Sequence, residues 1–422
     1  MTTEPVSGNP PQLVEHFFRH ESANLVAVLT RAFGLRHLEL VEDKVQEALV
    51  AAMQTWSRRG VPDNPSGWIY RVARNRLLDA VRREAIHRRV VATFPQGEGA
   101  VETLVEEWLQ EDQLPDSLLR MMFVCCHPAL DRRSQLAMTL KTLCGFSLAE
   151  IARGLLISPE AAKKRVQRAR KTLAREQIHL DLPPAAELQE RLRAVQKVLY
   201  LMFNEGYSTS QGHEPLRDDL CEEAARLGHL LCEHPSFNTP ETCALLALML
   251  AHSARLEARL DGEGQVVLLG DQDRSQWDRR LIGFAEHWLE RSKTPTPSRY
   301  HLEAAISLAH CHAPSLEETD WPLIVRYYDR LLDLDLSPLY VLNRAIARGE
   351  MGDVTRALEE LETLRGHRDL RHYFLLDCAV GRLHELSSRK EAARAAYAAA
   401  RSVARAPHEQ TFLDRKLAEL NA

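Results

Sequence analysis

Long apolar runs are what this chain of 422 residues most plainly lacks. Its longest, residues 243–251, is far short of the roughly 20 residues a membrane-spanning helix needs, so no membrane contact is expected. The first eleven residues are polar and carry no basic-then-apolar signal segment, which points to the cytoplasm. Eight cysteines without regular spacing read as reduced thiols rather than a disulfide framework. Neither a phosphate-cradling glycine loop nor a nucleophile elbow is present. Cys125-Cys-His127 and His310-Cys-His312 lack the paired spacing of a structural zinc site, so no metal or other cofactor is expected. Asp271, Asp273 and Asp278 read as helix starts or an interdomain contact, with Arg274 and Arg279 offering local pairing.

Strand signals are almost as scarce. One short hairpin arm is expected at Gln265-Val-Val-Leu-Leu269, after Asp261-Gly-Glu-Gly264; elsewhere the apolar period is helical, and the fold class is all-α. Charge is divided unevenly along this helical chain. Residues 1–180 hold 25 Lys+Arg against 21 Asp+Glu, a net +4, and residues 181–422 hold 29 against 38, a net −9. Only the first part suits a polyanion.

Two segments concentrate its cations. In Asn64-Pro-Ser-Gly-Trp-Ile-Tyr-Arg and the residues that follow, Ile69, Val72, Ala73, Leu77, Ala80 and Val81 form one apolar stripe. With the helix taken from Gly67, Arg71, Arg74, Asn75 and Arg82 fall opposite, and Trp68 sits in the first turn after the Asn64–Gly67 loop. Guanidinium groups beside an aromatic suit single-stranded nucleic acid, holding phosphates and stacking an unpaired base. The plainer alternative is a solvated basic face with Trp68 in the core.

The second segment starts with Ser147-x-x-Glu150, a capping box, and breaks at Gly154-Leu-Leu156. Ser158 then caps another helix with Pro159 at its first position. Ala162, Val166, Ala169 and Leu173 face inward, while Lys163, Lys164, Arg165, Arg168, Arg170, Lys171 and Arg175 run without an acid between Glu160 and Glu176. A helix, a short turn and a capped basic helix are what major-groove entry requires. A basic helix packed on an acidic neighbour is the structural alternative.

Taken in order, these segments resemble the two DNA-binding domains of bacterial sigma-70-type RNA polymerase sigma factors of the extracytoplasmic-function type. Val41-Glu-Asp-Lys-Val-Gln-Glu-Ala and its continuation to Trp56 is similar to the family helix that docks on core RNA polymerase. The first basic segment resembles the −10 melting helix with its base-capturing loop, and the second the −35 helix-turn-helix, including Arg168-Ala-Arg-x-x-Leu173. The resemblance implies polymerase contacts at Asp43, Gln46 and Glu47, and unpaired −10 strand contacts at Asn64, Trp68, Arg71, Arg74 and Asn75. It implies duplex −35 contacts at Lys163, Lys164, Arg165 and Arg168. The family reads promoters and recruits polymerase without covalent chemistry of its own, so no enzyme is expected.

The organisation that follows is a region-2-like domain over 12–89, an acidic linker over 90–115 and a region-4-like domain over 116–180. A helical extension fills 185–422. The linker has no Lys or Arg, and its 26 residues at about 3.3 Å each reach up to about 85 Å. Two DNA sites two helical turns apart lie about 70 Å apart, so the tether suffices. In the family such a linker threads a polymerase channel.

In the extension, superposing Gly352-Asp353 on Ser388-Arg389 also superposes Ala357 on Ala393, an offset of 36 residues near that of tetratricopeptide hairpins. Tetratricopeptide-like packing is therefore expected near 337–404. Val198-Leu-Tyr-Leu-Met-Phe-Asn-Glu-Gly-Tyr-Ser208 resembles a stretch of the family subgroup with such a tail. The acidic tail is expected to regulate promoter engagement, through the basic faces or through a regulatory protein or ligand. The alternative function is a helix-turn-helix repressor or activator with a helical-repeat sensor, which would not need the Asp43–Glu47 helix or the Trp68 loop.

Overall fold

The computed structural model of the chain describes residues 22–88, 114–155, 157–207, 217–262, 267–367, 370, 373–404 and 407–421. The chain divides into two compact units, Met1–Leu201 and Met202–Ala422. No strand occurs among the described residues; of the expected hairpin arm, Gln265 and Val266 lie outside them. Val267 N–H donates to the Arg259 carbonyl at 2.8 Å, and Leu260 takes part in a β-bridge, so the described part of this stretch keeps hairpin-like pairing without a strand. The linker expected over 90–115 lies almost wholly outside the described residues. None of the described helices is long and apolar enough to cross a membrane.

The first unit opens with α1 (Ser22–Phe33), α2 (Leu38–Arg59) and α3 (Pro65–Arg88). Val41, Val45, Leu49, Ala52 and Trp56 bury one stripe of α2, and Ile69, Ala73, Leu77 and Val81 the facing stripe of α3. Gly60, at φ 81° and ψ 165°, takes an extended positive-φ conformation open to glycine, and α2 ends there. Four further helices follow: α4 (Leu114–Cys125), α5 (Arg132–Thr142), α6 (Leu148–Gly154) and α7 (Pro159–Arg175). Asp131 caps α5 by accepting from Ser134 N–H at 3.0 Å. The proline break at Leu182-Pro-Pro184 precedes α8 (Ala185–Tyr207), whose early turns pack within this unit: Arg191 donates to the Phe123 carbonyl at 3.0 Å.

Helices also build the second unit. They are α9 (Asp218–Glu233), α10 (Pro240–Ser253), α11 (Arg279–Arg291), α12 (Arg299–His312) and α13 (Trp321–Leu334), then two helical hairpins. α10 is its central helix, buried at nearly every position from Thr242 to Met249. The hairpins are α14 (Pro338–Glu350) with α15 (Val354–Thr363), and α16 (Phe374–Leu386) with α17 (Lys390–Val403); α18 (Pro407–Asn421) closes the chain. The 36-residue offset reappears in backbone geometry: Gly352 (φ 98°) and Ser388 (φ 56°) occupy the matching turns in left-handed conformation. Ala357 and Ala393, at matching helical positions, are both fully buried. Small residues let the hairpins close; a side chain on Gly349 would overlap Leu383, and one on Gly381 would press the Tyr397 ring.

Of the three acids around Gln272, Asp273 and Asp278 serve as caps. Asp273 accepts from Ser275 N–H at 2.9 Å, and Asp278 caps α11 from Arg280 and Leu281. Arg274 does not pair with them as the sequence suggests. It turns to the end of α12 and donates to the carbonyls of His310 (2.9 Å) and Ala313 (2.6 Å).

Candidate nucleic-acid interface

α3 begins two residues earlier than its apolar stripe suggests. Asn64 Oδ1 accepts from Gly67 N–H at 2.8 Å, and Pro65 holds the first helical position, where its missing N–H costs nothing. A side chain on Gly67 would meet the Asn64 amide at 2.8–2.9 Å, so this cap requires glycine there. Asn64 is thus both the cap and an exposed polar group at the helix end. Trp68 is half-buried, edge-on to the buried Trp56 at 5.7 Å between centroids. It belongs partly to the core and partly to the surface, between the two sequence readings.

Arg71 and Asn75 are exposed as expected. Arg74 is not: only 9% of it is accessible. Tyr70, Arg74, Leu77 and Val81 follow one another at i+4, i+7 and i+11, so Arg74 lies on the buried stripe and not opposite it. The solvent face of α3 is carried by Arg71, Asn75, Arg82 and Arg83.

On α2, Asp43, Gln46 and Glu47 are all exposed. With Val50, Gln54 and Arg76 they line a shallow groove of about 450 Å³ between α2 and α3. Glu47 pairs with Lys44 at 2.5 Å and with Arg76 at 3.5 Å. Val50 and Met53 add apolar surface beside these charges, each nearly half exposed. An apolar strip rimmed by acids is suited to a protein partner.

α6 and α7 form as read. Ser147 and Glu150 exchange both capping-box bonds, at 3.2 and 2.7 Å. Ser158 accepts from Ala161 N–H at 3.2 Å with Pro159 at the first helical position. Ala162, Val166, Ala169 and Leu173 are buried, which leaves Lys163, Lys164 and Arg168 exposed and Arg165 half-buried. Among the described residues no carboxylate lies within ion-pair range of Lys163, Lys164 or Arg168, so their charge is available to a polyanion; Arg165 instead adds to the Ser134 bonds that lower the Asp131 carboxyl.

Arg170 differs from its neighbours on α7. It is bonded to Glu42 of α2, and Glu39 lies 3.5 Å from it. Glu42 is buried and also accepts from Thr142 Oγ1 at 2.9 Å. Burial pushes the Glu42 carboxyl above the ordinary carboxylate range, against the opposing pull of Arg170, Lys141 and the Thr142 bond. A second tie joins Arg31 to Asp116 at 3.3 Å. The −35-like helix is therefore docked on the helix expected to meet polymerase. Sequence reasoning missed this contact, yet one signal was there: Glu42 falls on the apolar stripe Leu38–Val45–Leu49, where an acid implies a partner.

Comparison with known proteins places these features. Residues 17–86 match the model of sigma-70 region 2, and residues 120–173 that of sigma-70 region 4. Residues 191–293 match a family of unknown function, and residues 286–332 a TilS substrate binding domain. An uncharacterized protein of Rhizobium meliloti is 36% identical over 414 residues, which cover 94% of this chain and 95% of that protein. The ECF RNA polymerase sigma factor SigF of Caulobacter vibrioides is 32% identical over 158 residues, 36% of this chain and 82% of that one. No solved structure matches. Since both DNA-binding regions are matched in order, on the two basic helices described above, the chain belongs to the sigma-70 family of transcription initiation factors.

Proposed function

We propose that this protein is an extracytoplasmic-function-type sigma factor of the cytoplasm whose second unit, with its tetratricopeptide-like hairpins, regulates the first. The carrying observation is that Lys163, Lys164 and Arg168 stand exposed and uncompensated on a capped helix within the region-4 match. The α2 face of Asp43, Gln46 and Glu47 engages core RNA polymerase. Lys163, Lys164, Arg165 and Arg168 hold the −35 duplex, and the Asn64–Asn75 end of α3 traps unpaired −10 bases. Arg74 supports that end from within the fold rather than reaching the strand.

The docked arrangement of α2 and α7 bears on mechanism. Elements separated by about two helical turns of DNA are about 70 Å apart, so the Glu42–Arg170 and Arg31–Asp116 contacts must part when both are read. Parting leaves Arg170 free to join the cationic face of α7. The acidic balance of the second unit and the matching turns at Gly352 and Ser388 support a repeat-built regulatory body. The test is transcription in vitro with purified core polymerase and the full chain, with start sites mapped. Specific initiation is expected; a chain that neither binds core polymerase nor directs a transcript refutes the reading.

A further inference from the structure

The arginines of the second unit fall into two groups. Arg217, Arg226, Arg344, Arg348 and Arg382 each have a carboxylate within ion-pair range. Arg255, Arg259 and Arg274 have none among the described residues, although all three are at least partly withdrawn from water. Uncompensated guanidinium groups in a protein interior are costly, so these three require an explanation.

They converge on two aromatic rings. The Arg259 guanidinium lies 3.8 Å from the centroid of Tyr207, and that of Arg274 lies 4.7 Å from Trp277. Arg255 stands between the two rings: its guanidinium is 5.9 Å from Trp277, and Nη2 donates to the Tyr207 hydroxyl at 3.2 Å. The same Nη2 lies 2.9 Å from His252 Nδ1. Arginine can only donate, so His252 accepts there and its ring is neutral. Burial and the neighbouring arginines hold His252 well below the usual imidazole range, and His310 is lowered to about 3 for the same reasons. The histidines add no positive charge, and the three guanidinium groups carry +3, with Glu317 acting on Arg274 from beyond ion-pair range.

Its donors are incompletely used. Arg255 is 5% exposed, and its Nε has no hydrogen-bond partner. The same is true of the buried Arg259 Nε, Arg274 Nη2 and Trp277 Nε1. Arg274 spends only Nη1 on the end of α12. Arg259 and Arg274 are half-exposed, so the cluster is open to solvent on their side.

We propose that Arg255, Arg259 and Arg274 form a binding site for a small phosphate-bearing anion, on a platform of Tyr207 and Trp277. Guanidinium forks match tetrahedral oxyanions in geometry. A charge of +3 is better balanced by a phosphate dianion than by a single carboxylate. Tyr207, Arg255, Arg259, Arg274 and Trp277 all lie within the match to the family of unknown function. The site is independent of the promoter reading: failure of transcription would leave it standing.

Titration calorimetry on the full chain tests it, with inorganic phosphate in one arm and glycerol phosphate in the other, at constant ionic strength in chloride. Saturable binding is expected. Arg259→Gln and Arg274→Gln should each weaken it at least tenfold, while Arg394→Gln, which removes an exposed cation elsewhere in the unit, leaves it unchanged. Tighter binding of the monoester identifies a phosphorylated metabolite as ligand; equal binding identifies free phosphate. Absence of saturable binding, or binding undiminished in both arginine variants, overturns the proposal. Should the variants fail to fold, the unmodified chain still decides. Phosphate must then perturb a fluorescence component that Trp277→Phe removes, and an unperturbed spectrum overturns the site.

Discussion

The two units treat their cations in opposite ways. In the first, Lys163, Lys164 and Arg168 project from α7 into solvent, with no carboxylate within ion-pair range among the described residues. In the second, most withdrawn arginines are locked to carboxylates: Glu360 alone serves Arg348 at 3.0 Å and Arg344 at 3.2 Å, with Asp329 closing the network. Net charge follows the same division, +4 against −9 over residues 1–180 and 181–422. The lesson is that a count of cations says little about function until each is assigned a partner. An unpaired surface cation marks an external polyanion, whereas a paired buried one holds helices together.

The sharpest way to break this comparison is to remove a partner in the second unit. Glu360→Ala leaves the buried Arg348 with only Asp329, 3.6 Å away, and should cost about 3 kcal/mol of stability. Urea denaturation checks this; a loss under about 1 kcal/mol would place Glu360 among ordinary surface acids.

Glu42 is the intermediate case, a paired acid inside the DNA-binding unit. Glu42→Ala deprives Thr142 and Arg170 of their shared acceptor, for a loss of about 2 kcal/mol. Glu42→Gln keeps an acceptor of the same shape and should be nearly neutral at pH 7. Its effect on pH dependence has a definite sign. Because burial raises the folded-state carboxyl above its unfolded value, the stability linked to its protonation is complete below the ordinary carboxylate range. That contribution is lost as pH rises through the raised folded value. The native chain should therefore gain stability relative to Glu42→Gln as pH falls through that window, measured by parallel denaturation curves. A constant difference across pH would show that Glu42 does not titrate differently on folding.

Smallest in stability, but largest in function, is the change at the exposed cations. Lys164→Gln with Arg168→Gln should alter folding stability by less than about 0.5 kcal/mol. It should lower the slope of log affinity for promoter duplex against log salt by about two, at roughly 0.9 per lost phosphate contact. Fluorescence anisotropy over a salt series measures it, and an unchanged slope removes these residues from the DNA contact.

How much of this was legible beforehand depends on how local each feature is. The buried face of α7, with Ala162, Val166, Ala169 and Leu173, follows directly from helical spacing, and so do both caps around it. The start of α3 is less legible: Asn64 and Pro65 have the composition of a loop, yet together they form the cap two residues before Gly67. Arg74 shows the opposite conflict: its charge suggests the wet face, but its spacing puts it on the buried stripe of Tyr70 and Leu77, and spacing decides. The turns at Gly352 and Ser388 were legible through repetition, since two copies of one hairpin report the same geometry twice.

What the sequence by itself determined is therefore the helices, the caps around α6 and α7, the ordered pair of basic segments and the sigma-70 kinship. Each depends on residues within a turn or two of one another, where the 3.6-residue period and capping bonds act. Tertiary structure alone decided that Glu42 meets Arg170 across 128 positions, and that Arg259 and Arg274 gather with Arg255 around Tyr207 and Trp277. Such pairings depend on which helix faces pack together. That is settled by the shape and burial of whole surfaces, to which a single charged residue contributes no pattern of its own.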